Sequence, residues 1–175
     1  MILNWGKILW ILGALLFFLS GCNELTEKKI PKELTAQEIY LQAEQKLKEN
    51  LNAEAAGLFA KVERLYPYSE WAKKSLLMSA VANHQGAFYD ESRADAERYL
   101  DFYPADTNAA YAQYLIALSY YDQIDNVSRD QSVTFKALQA FRTVIERYPD
   151  SEYTSPSLLK FDLSLDHLAG AEMEI

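Results

Sequence analysis

Three segments of the sequence end in the dipeptide Tyr-Pro, and they decide the fold: Arg64-Leu65-Tyr66-Pro67, Asp101-Phe102-Tyr103-Pro104 and Glu146-Arg147-Tyr148-Pro149. Each segment closes a stretch in which apolar residues recur every three or four positions, the spacing of an amphipathic helix. A proline stops such a helix because it pushes the residue before it out of the α region. The segments therefore predict three helices that end in the same way.

Counting back from each proline gives a shared register. A small residue, an aromatic residue four positions later and a proline eight positions after that form the second-helix pattern of the tetratricopeptide repeat. The residues twelve, eight and five positions before the proline are Ala55, Phe59 and Val62 in the first copy, Ser92, Ala96 and Tyr99 in the second, and Ala137, Phe141 and Val144 in the third. The first and third copies match the pattern fully, and the second is weaker.

The copies differ in length. Their prolines are 37 and 45 residues apart, against a standard period of about 34. We expect the extra residues to lengthen turns, with the larger insertion at residues 122–130. Predicted helix starts support this division: Thr35 with Glu38 and Ser128 with Gln131 are predicted to form capping boxes, and Ser155 before Pro156 suits an N-cap and first turn.

The predicted fold is all-α, a tetratricopeptide-like solenoid of helical hairpins with about three repeats plus one extra helix, over residues 35–175. The predicted helices are 36–50, 53–65, 69–83, 90–102, 108–122, 131–147 and 156–173. The last of these presents an apolar stripe, for which we expect either fraying or use as a partner surface. The stripe contains Leu158, Leu159, Phe161, Leu165 and Leu168.

The N-terminus has the composition of a secretion signal. Residues 8–19 form an apolar run that as a helix covers about 18 Å, well short of the ~30 Å hydrocarbon core. We therefore predict a signal peptide over residues 1–21. It ends in Leu19-Ser20-Gly21-Cys22, and Cys22 is the only cysteine, so no internal disulfide forms. Residues 22–34 are polar and predict a tether.

The segment around Cys22 resembles the lipobox of bacterial lipoproteins. That resemblance implies diacylglycerol on the Cys22 thiol, cleavage before Cys22 and an N-acyl chain on the new amine. Asn23 stands where an aspartate would favour inner-membrane retention, which implies a lipid-anchored protein on the periplasmic face of the outer membrane. The net charge of −8 disfavours nucleic-acid partners and electrostatic adhesion to anionic lipids.

Signs of catalysis or metal binding are weak. His84 and His167 lie in different predicted hairpins, and we expect ordinary helix-surface histidines, although a Ser–His–Asp triad stays open. We expect no enzyme, no metal site and no cofactor beyond the lipid. Four carboxylates of the fourth helix should form a solvated face, and two lysines at the start of the third should be solvated unless an acidic partner meets them. These residues are Asp90, Glu91, Asp95 and Glu97, and Lys73 and Lys74.

The repeats together with the lipobox resemble the BamD family, lipoproteins of outer-membrane β-barrel assembly. Especially typical are Arg64-Leu65-Tyr66-Pro67 with Trp71 after it, and Arg147-Tyr148-Pro149-Asp150-Ser151-Glu152-Tyr153. The resemblance implies a non-enzymatic scaffold. Its partners would be the barrel-forming subunit, accessory lipoproteins and unfolded outer-membrane proteins. Family members usually have five repeats, so the chain resembles a C-terminally truncated member. The turn around Gly86 and Tyr89 also departs from the family pattern.

Aromatic residues are the candidates for binding a peptide or partner. Trp71, Tyr111 and Tyr114 lie on first helices, which line the concave side of this architecture. Tyr66 and Tyr103 end repeats and are expected to be structural. The candidate set is Trp71, Tyr111, Tyr114, Tyr66, Tyr120 and Tyr121, although most of these could serve packing alone. A different periplasmic repeat adaptor, such as one linked to peptidoglycan, and an envelope hydrolase are the alternative functions.

Overall fold

The computed structural model describes residues 33–124 and 131–173, with side chains up to residue 170. In these ranges the chain forms seven α-helices and no strand, which confirms the all-α prediction. The predicted helices agree with the observed ones to within two residues at every end. The helices are α1 (Ala36–Lys48), α2 (Asn52–Leu65), α3 (Glu70–Gln85), α4 (Tyr89–Phe102), α5 (Ala109–Tyr121), α6 (Ser132–Arg147) and α7 (Thr154–Met173).

The helices stack as hairpins. α1 packs on α2, α3 on α4 and α5 on α6, and each second helix also packs on the first helix of the next hairpin. The first helices contact one another in sequence, α1 with α3, α3 with α5 and α5 with α7. Because a lone hairpin cannot bury its apolar face, neighbours supply the cover. The tetratricopeptide-like solenoid is therefore confirmed.

The three Tyr-Pro segments end their helices in the same geometry. Tyr66, Tyr103 and Tyr148 are the C-cap residues, with φ of −134°, −132° and −131° and ψ of 53°, 54° and 53°. The amide of each tyrosine still donates to the carbonyl four residues earlier. The next residue is a proline, which has no amide hydrogen and cannot continue the ladder. The predicted stop is confirmed at all three positions.

The residues at the repeat positions form the buried core. Ala55, Ser92 and Ala137 are fully buried, so the two helices of each hairpin approach closely there. In the second hairpin Ala96 replaces the phenylalanine of the other copies, and Tyr99 replaces their valine. Ala96 and Tyr99 are 0% and 1% exposed. In the second copy the large side chain therefore stands one turn later on the helix than in the other two copies, and the interior stays filled.

First helices carry their own small-residue position. Ala43, Ala80 and Ala117 are 37 residues apart and each is 0% exposed. Around these contacts the apolar residues form two clusters. The N-terminal cluster joins α1, α2 and α3, and includes Ile39, Phe59 and Val62. The central cluster joins α3 to α6, and includes Tyr99, Leu115 and Phe141.

Helix starts agree with prediction in one case and differ in another. The Thr35 capping box is confirmed: its hydroxyl accepts from the Glu38 amide at 3.2 Å, and the Glu38 carboxylate accepts from the Thr35 amide at 2.8 Å. The predicted N-cap at Ser155 is wrong, because α7 already begins at Thr154. The Thr154 hydroxyl donates to the Tyr148 carbonyl at 2.6 Å and fixes the chain one residue earlier. Pro156 still lies in the first turn, where its missing amide hydrogen is tolerated.

The predicted insertion falls where expected. Residues 122–131 connect α5 to α6, whereas residues 49–51 and 86–88 connect the helices of the earlier hairpins. Residues 125–130 lie outside the described residues, and so does Ser128 of the second predicted capping box. Gln131 is the N-cap of α6, and its side chain makes no capping hydrogen bond.

Other predictions concern the two ends of the chain. The signal peptide, Cys22 and residues 23–32 of the tether lie outside the described residues and stay predictions. Among the described helices none combines the length and the apolar run that a membrane span requires. In α7, Leu158, Leu159 and Leu165 are 46%, 63% and 45% exposed, as the stripe predicts. Phe161 instead packs against the central cluster.

Candidate partner-binding surface

The structure does not bring all the predicted binding residues together. Tyr66 and Trp71 pack against the N-terminal cluster. Tyr111 and Tyr114 pack against the central cluster, as do Tyr120 and Tyr121. All of them are half-buried. The predicted binding residues therefore lie in two separate aromatic regions.

Trp71 lies in the first turn of α3 and stacks against α1. Its ring centroid lies 4.9 Å from that of Tyr40, and the Tyr40 ring lies 5.3 Å from Phe59. The Lys74 ammonium lies 4.6 Å from the indole centroid. A cation held over an aromatic ring is a favourable contact. Trp71 is therefore fixed between the first two hairpins.

Tyr66 and Tyr103 serve the repeat ends. The Tyr66 hydroxyl donates to the Leu34 carbonyl at 2.5 Å, which ties the start of the domain to the end of α2. The Tyr103 ring packs 5.3 Å from Tyr99. Both residues are C-caps, as described above. Their geometry favours the structural role that the sequence indicated.

Tyr111 and Tyr114 lie one turn apart on α5 and share a face of that helix. Both rings lie against Tyr153, at centroid distances of 5.2 Å and 5.3 Å and interplanar angles of 36° and 29°. The Tyr114 ring is also 6.2 Å from Phe141 in the core. We call Tyr111, Tyr114 and Tyr153 the tyrosine cluster. Offset ring pairs of this kind are favourable beyond the area they bury.

Tyr153 was missed as a binding candidate, although the repeat register contained the information. Tyr153 follows Pro149 by four residues, just as Trp71 follows Pro67, and Tyr114 stands two 37-residue periods after Tyr40. The pair Tyr114–Tyr153 therefore repeats the pair Tyr40–Trp71 at the next-but-one joint between first helices. Aligning first helices as well as second helices would have found it.

Burial raises the pKa values of the tyrosine cluster, so its hydroxyls stay protonated at neutral pH and above. It raises the pKa of Tyr111, and it raises the pKa of Tyr114, with Asp122 and Tyr111 adding to the effect. The pKa of Tyr153 is raised first by burial and then by its hydrogen bond to Glu152. Among residues 33–124 and 131–170, the structure gives the hydroxyl groups of Tyr111 and Tyr114 no hydrogen-bond partner. They can therefore both donate and accept.

Tyr120 and Tyr121 differ from the cluster because cations cover their rings. The Arg93 guanidinium lies 4.1 Å from the Tyr120 centroid, and the Lys160 ammonium lies 4.0 Å from the Tyr121 centroid. Tyr121 also packs 5.9 Å from Phe141. These contacts join α4 to α5 and α5 to α7. They make Tyr120 and Tyr121 weaker candidates than the tyrosine cluster.

The expectation of a surface histidine is wrong for His84. Its Nδ1 lies 3.0 Å from the Ser119 Oγ, and its Nε2 lies 3.3 Å from an Asp122 carboxylate oxygen. The three residue types match a hydrolase triad, but Ser119 is 0% exposed and its hydroxyl donates to Ser92 at 3.2 Å. A substrate cannot reach a buried hydroxyl, so the contact serves to join the second and third hairpins.

The remaining charged candidates include two corrections. Asp95 is not a solvated carboxylate: it accepts from the Ser79 hydroxyl at 2.6 Å and from the Asn83 amide at 3.1 Å, and burial raises its pKa. Lys73 meets an acidic partner within the chain, since its Nζ lies 2.6 Å from Asp106. Asp90, Glu91 and Glu97 are exposed as predicted. Within the described ranges no cluster of three or more His, Cys, Asp or Glu could hold a metal ion.

Comparison with known proteins places this geometry in a family. The sequence model of the YfiO family, described as outer membrane lipoprotein, matches residues 32–175. The outer membrane protein assembly factor BamD of Caulobacter vibrioides is 47% identical over 122 residues, which are 70% of this chain and 40% of that protein. BamD of Rickettsia prowazekii is 36% identical over 174 residues, 97% of this chain and 68% of that protein.

More distant relatives have the same name. BamD of Xylella fastidiosa is 25% identical over 178 residues, which cover 96% of this chain and 61% of the relative. The chain thus spans from 40% to 68% of the length of these three relatives. The match of the family model to nearly all of the helical domain, and the identity to the Rickettsia protein, lead to one conclusion: this chain belongs to the YfiO/BamD family of outer membrane lipoproteins.

Proposed function

We propose that this chain is a non-enzymatic, lipid-anchored scaffold of the machinery that assembles β-barrel proteins in the outer membrane. It binds partner subunits and unfolded barrel precursors through the tyrosine cluster. The relatives named as outer membrane protein assembly factors support the process. Because the chain spans only part of their length, the activity and the partners of those proteins are proposed here for this chain.

The tyrosine cluster is the observation that carries the proposal. Its rings are held in place by stacking on one another and on Phe141. A pre-ordered ring loses little conformational freedom when a ligand packs on it. The neutral hydroxyls of Tyr111 and Tyr114 can donate to and accept from the backbone of an extended peptide. Such a surface suits a precursor segment that has not yet paired into a sheet.

The buried position of Ser119 supports a scaffold rather than a hydrolase. The nucleophile of a Ser–His–Asp triad must contact the carbonyl it attacks. Ser119 is 0% exposed and lies between α4 and α5. We expect His84→Ala to loosen the joint between hairpins without abolishing any reaction. A hydrolytic activity that disappears in this variant while the fold persists would contradict the non-enzymatic assignment.

Anchoring at the periplasmic face of the outer membrane is assigned to lipid on Cys22, which is the only cysteine. Diacylglycerol and an N-acyl chain together bury enough methylenes to hold a protein on a bilayer, whereas one chain holds it only marginally. Cells fed labelled palmitate should incorporate label into the chain and not into Cys22→Ala. The variant should also leave the membrane fraction. Equal labelling of both chains would overturn the anchor.

Co-purification tests the function. After gentle solubilisation of membranes, the tagged chain should retain the barrel-forming subunit, accessory lipoproteins and pulse-labelled barrel precursors. The double variant Tyr111→Ala/Tyr114→Ala should retain at least fivefold less precursor. Tyr68→Ala is the matched control, because Tyr68 is 101% exposed and outside the cluster. Recovery of the intact chain without the barrel-forming subunit, or equal precursor with both variants, would refute the proposal.

A further inference from the structure

A groove lies on the second helices, on elements different from those that carry the tyrosine cluster. It runs between α2 and α4 over α3, and encloses about 420 Å³. We call it the acidic groove. Its lining includes Ala53, Gly57 and Ala60 from α2, Asn83 from α3, and Glu91 and Asp95 from α4. This volume lies in the range of sites that hold side chains or small ligands.

The α2 wall of the acidic groove is made of small, solvent-facing residues. Ala53, Gly57 and Ala60 are all exposed and lie on one side of the helix. The repeat does not require a small residue at the positions of Ala53 and Ala60, since α4 has Asp90 and Glu97 there, 37 residues later. The position of Gly57 is occupied by Ala94.

Packing among the described residues does not explain Gly57. A Cβ built on Gly57 would meet nothing within 4 Å. Glycine in a helix interior lowers helix stability relative to alanine. Small residues in these places let the backbone of another helix approach closely.

The polar groups of the acidic groove are arranged as acceptors. Asn83 is 9% exposed, and its amide nitrogen donates to Asp95 at 3.1 Å. The buried Ser79 hydroxyl donates to the same carboxylate oxygen at 2.6 Å. Within the described residues the Asn83 amide oxygen accepts no hydrogen bond. Within the described residues the Ser79 hydroxyl and one Asn83 N–H are therefore already used, and the Asn83 amide oxygen and the carboxylate oxygens stay open as acceptors.

The groove also carries uncompensated negative charge. Glu91 lies one turn before Asp95 on α4, and like charges at this spacing destabilise a helix. In the described part of the chain Glu91 has no ion-pair partner. Arg98 meets Asp95 at 3.2 Å, but the same guanidinium also pairs with Glu63. One cation is thus shared by two carboxylates, while Glu91 has no ion pair among the residues that the structure describes, so a cationic ligand would be favoured here.

We propose that the acidic groove binds a basic amphipathic helix of a partner protein. Apolar side chains of that helix pack against Ala53, Gly57 and Ala60, and its lysine or arginine side chains reach Glu91 and Asp95. A helix laid in a groove is a common mode of peptide recognition, with anchors one turn apart. Phe88, 43% exposed at the same groove, adds an aromatic contact. This surface would act independently of the tyrosine cluster.

The test uses the full chain in an uncharged detergent and three synthetic helical peptides. The first peptide has leucines at i, i+4 and i+7 flanked by lysines and carries one photo-crosslinking side chain. The second replaces lysine by glutamate, and the third has the composition of the first in scrambled order. Crosslinking yield is measured against peptide concentration, and crosslinked residues are mapped by mass spectrometry.

Two variants and two controls separate binding from folding. Gly57→Leu fills the groove and Glu91→Lys reverses its charge, so each should raise the half-maximal peptide concentration at least tenfold. Gly170→Leu places the same bulk at another open helical glycine, and Glu97→Lys makes the same charge change at another exposed position of α4. Both controls should stay within twofold of the unaltered chain, with unchanged circular dichroism.

The expected crosslinks of the basic peptide map to residues of α2 and α4 that line the acidic groove. Three outcomes would overturn the proposal. The first is crosslinking elsewhere, or no crosslinking at millimolar peptide. The second is equal binding of the acidic or scrambled peptide. The third is crosslinking between two copies of the chain through this groove without peptide, which would identify a second copy as the occupant.

Discussion

Phe141→Ala is the change that tests the repeat core most sharply. Phe141 is 0% exposed and occupies the aromatic position of the repeat on α6. The rings of Tyr114 and Tyr121 lie 6.2 Å and 5.9 Å from it. Truncating it leaves a cavity beside these two rings of α5. Buried Phe→Ala changes cost about 3–5 kcal/mol, and we expect about 4 kcal/mol here, or about 12 °C in thermal midpoint.

A matched control lies on the same helix. Phe135 is 58% exposed, so Phe135→Ala makes the same chemical change outside the core and should cost less than about 1 kcal/mol. Free energies of unfolding are measured by urea titration followed by far-ultraviolet circular dichroism. Phe141→Ala should also loosen the tyrosine cluster and weaken peptide binding, whereas Phe135→Ala should not. Equal losses in the two variants would refute the assignment of Phe141 as the repeat's core residue.

Two further changes test the turns between helices. Lys73, Asn108 and Tyr99 donate to the Asp106 carboxylate and hold its pKa well below the ordinary 3.8, so the contribution of Asp106 to the free energy of unfolding is complete above pH 3.8 and declines as the pH falls below it. Asp106→Asn should therefore lower the thermal midpoint at pH 7, and its difference from the unaltered chain should disappear in acid. The control Asp101→Asn, at an exposed position, should show no such difference at either pH. Ala87 has φ of 59°, a left-handed conformation that costs a residue with a Cβ about 1–2 kcal/mol, so Ala87→Gly should raise the free energy of unfolding by about 0.5–1 kcal/mol. Asn50→Gly, at the equivalent turn with the same φ, should raise it less because asparagine tolerates this region. A decrease in the free energy of unfolding for Ala87→Gly would contradict backbone strain at this residue.

The repeat architecture could be predicted because its determinants are local and periodic. Each Tyr-Pro ends a helix by steric effects within four residues, and the register before it fixes which side chains face inward. The capping box at Thr35 depends on residues three apart. The start of α7 was displaced because a bond from Thr154 back to Tyr148 decides it, and the sequence pattern of Ser155 and Pro156 does not contain that contact.

The site could be predicted only in part, because it depends on contacts between hairpins. Tyr111 and Tyr114 were found by their place on a first helix, but their partner Tyr153 comes from the next hairpin across an insertion. His84 meets Ser119 35 residues away, and Asp95 is buried because Ser79 of the neighbouring helix faces it. Helical periodicity indicates which side of a helix is polar, and it does not show which polar residue another helix covers.

The acidic groove could not be predicted from the sequence, because it also depends on contacts between hairpins. Exposed alanines and a glycine on α2 do not indicate a binding surface in a helical pattern, because they form a groove only together with α4. The equivalent positions on α4 show that the repeat accepts charged residues there. Comparing equivalent positions between copies therefore separates residues that the fold needs from residues that need another explanation.

Site-specific photo-crosslinking in living cells shows whether barrel precursors contact the tyrosine cluster. A crosslinking amino acid is placed at position 114, in the tyrosine cluster, or at position 68, where the side chain is 101% exposed. Newly made barrel proteins are then pulse-labelled and the cells are irradiated. We expect labelled precursor to be attached to the chain at position 114 and to disappear within minutes of the chase, with little at position 68. No precursor at position 114, or equal amounts at both positions, would contradict it.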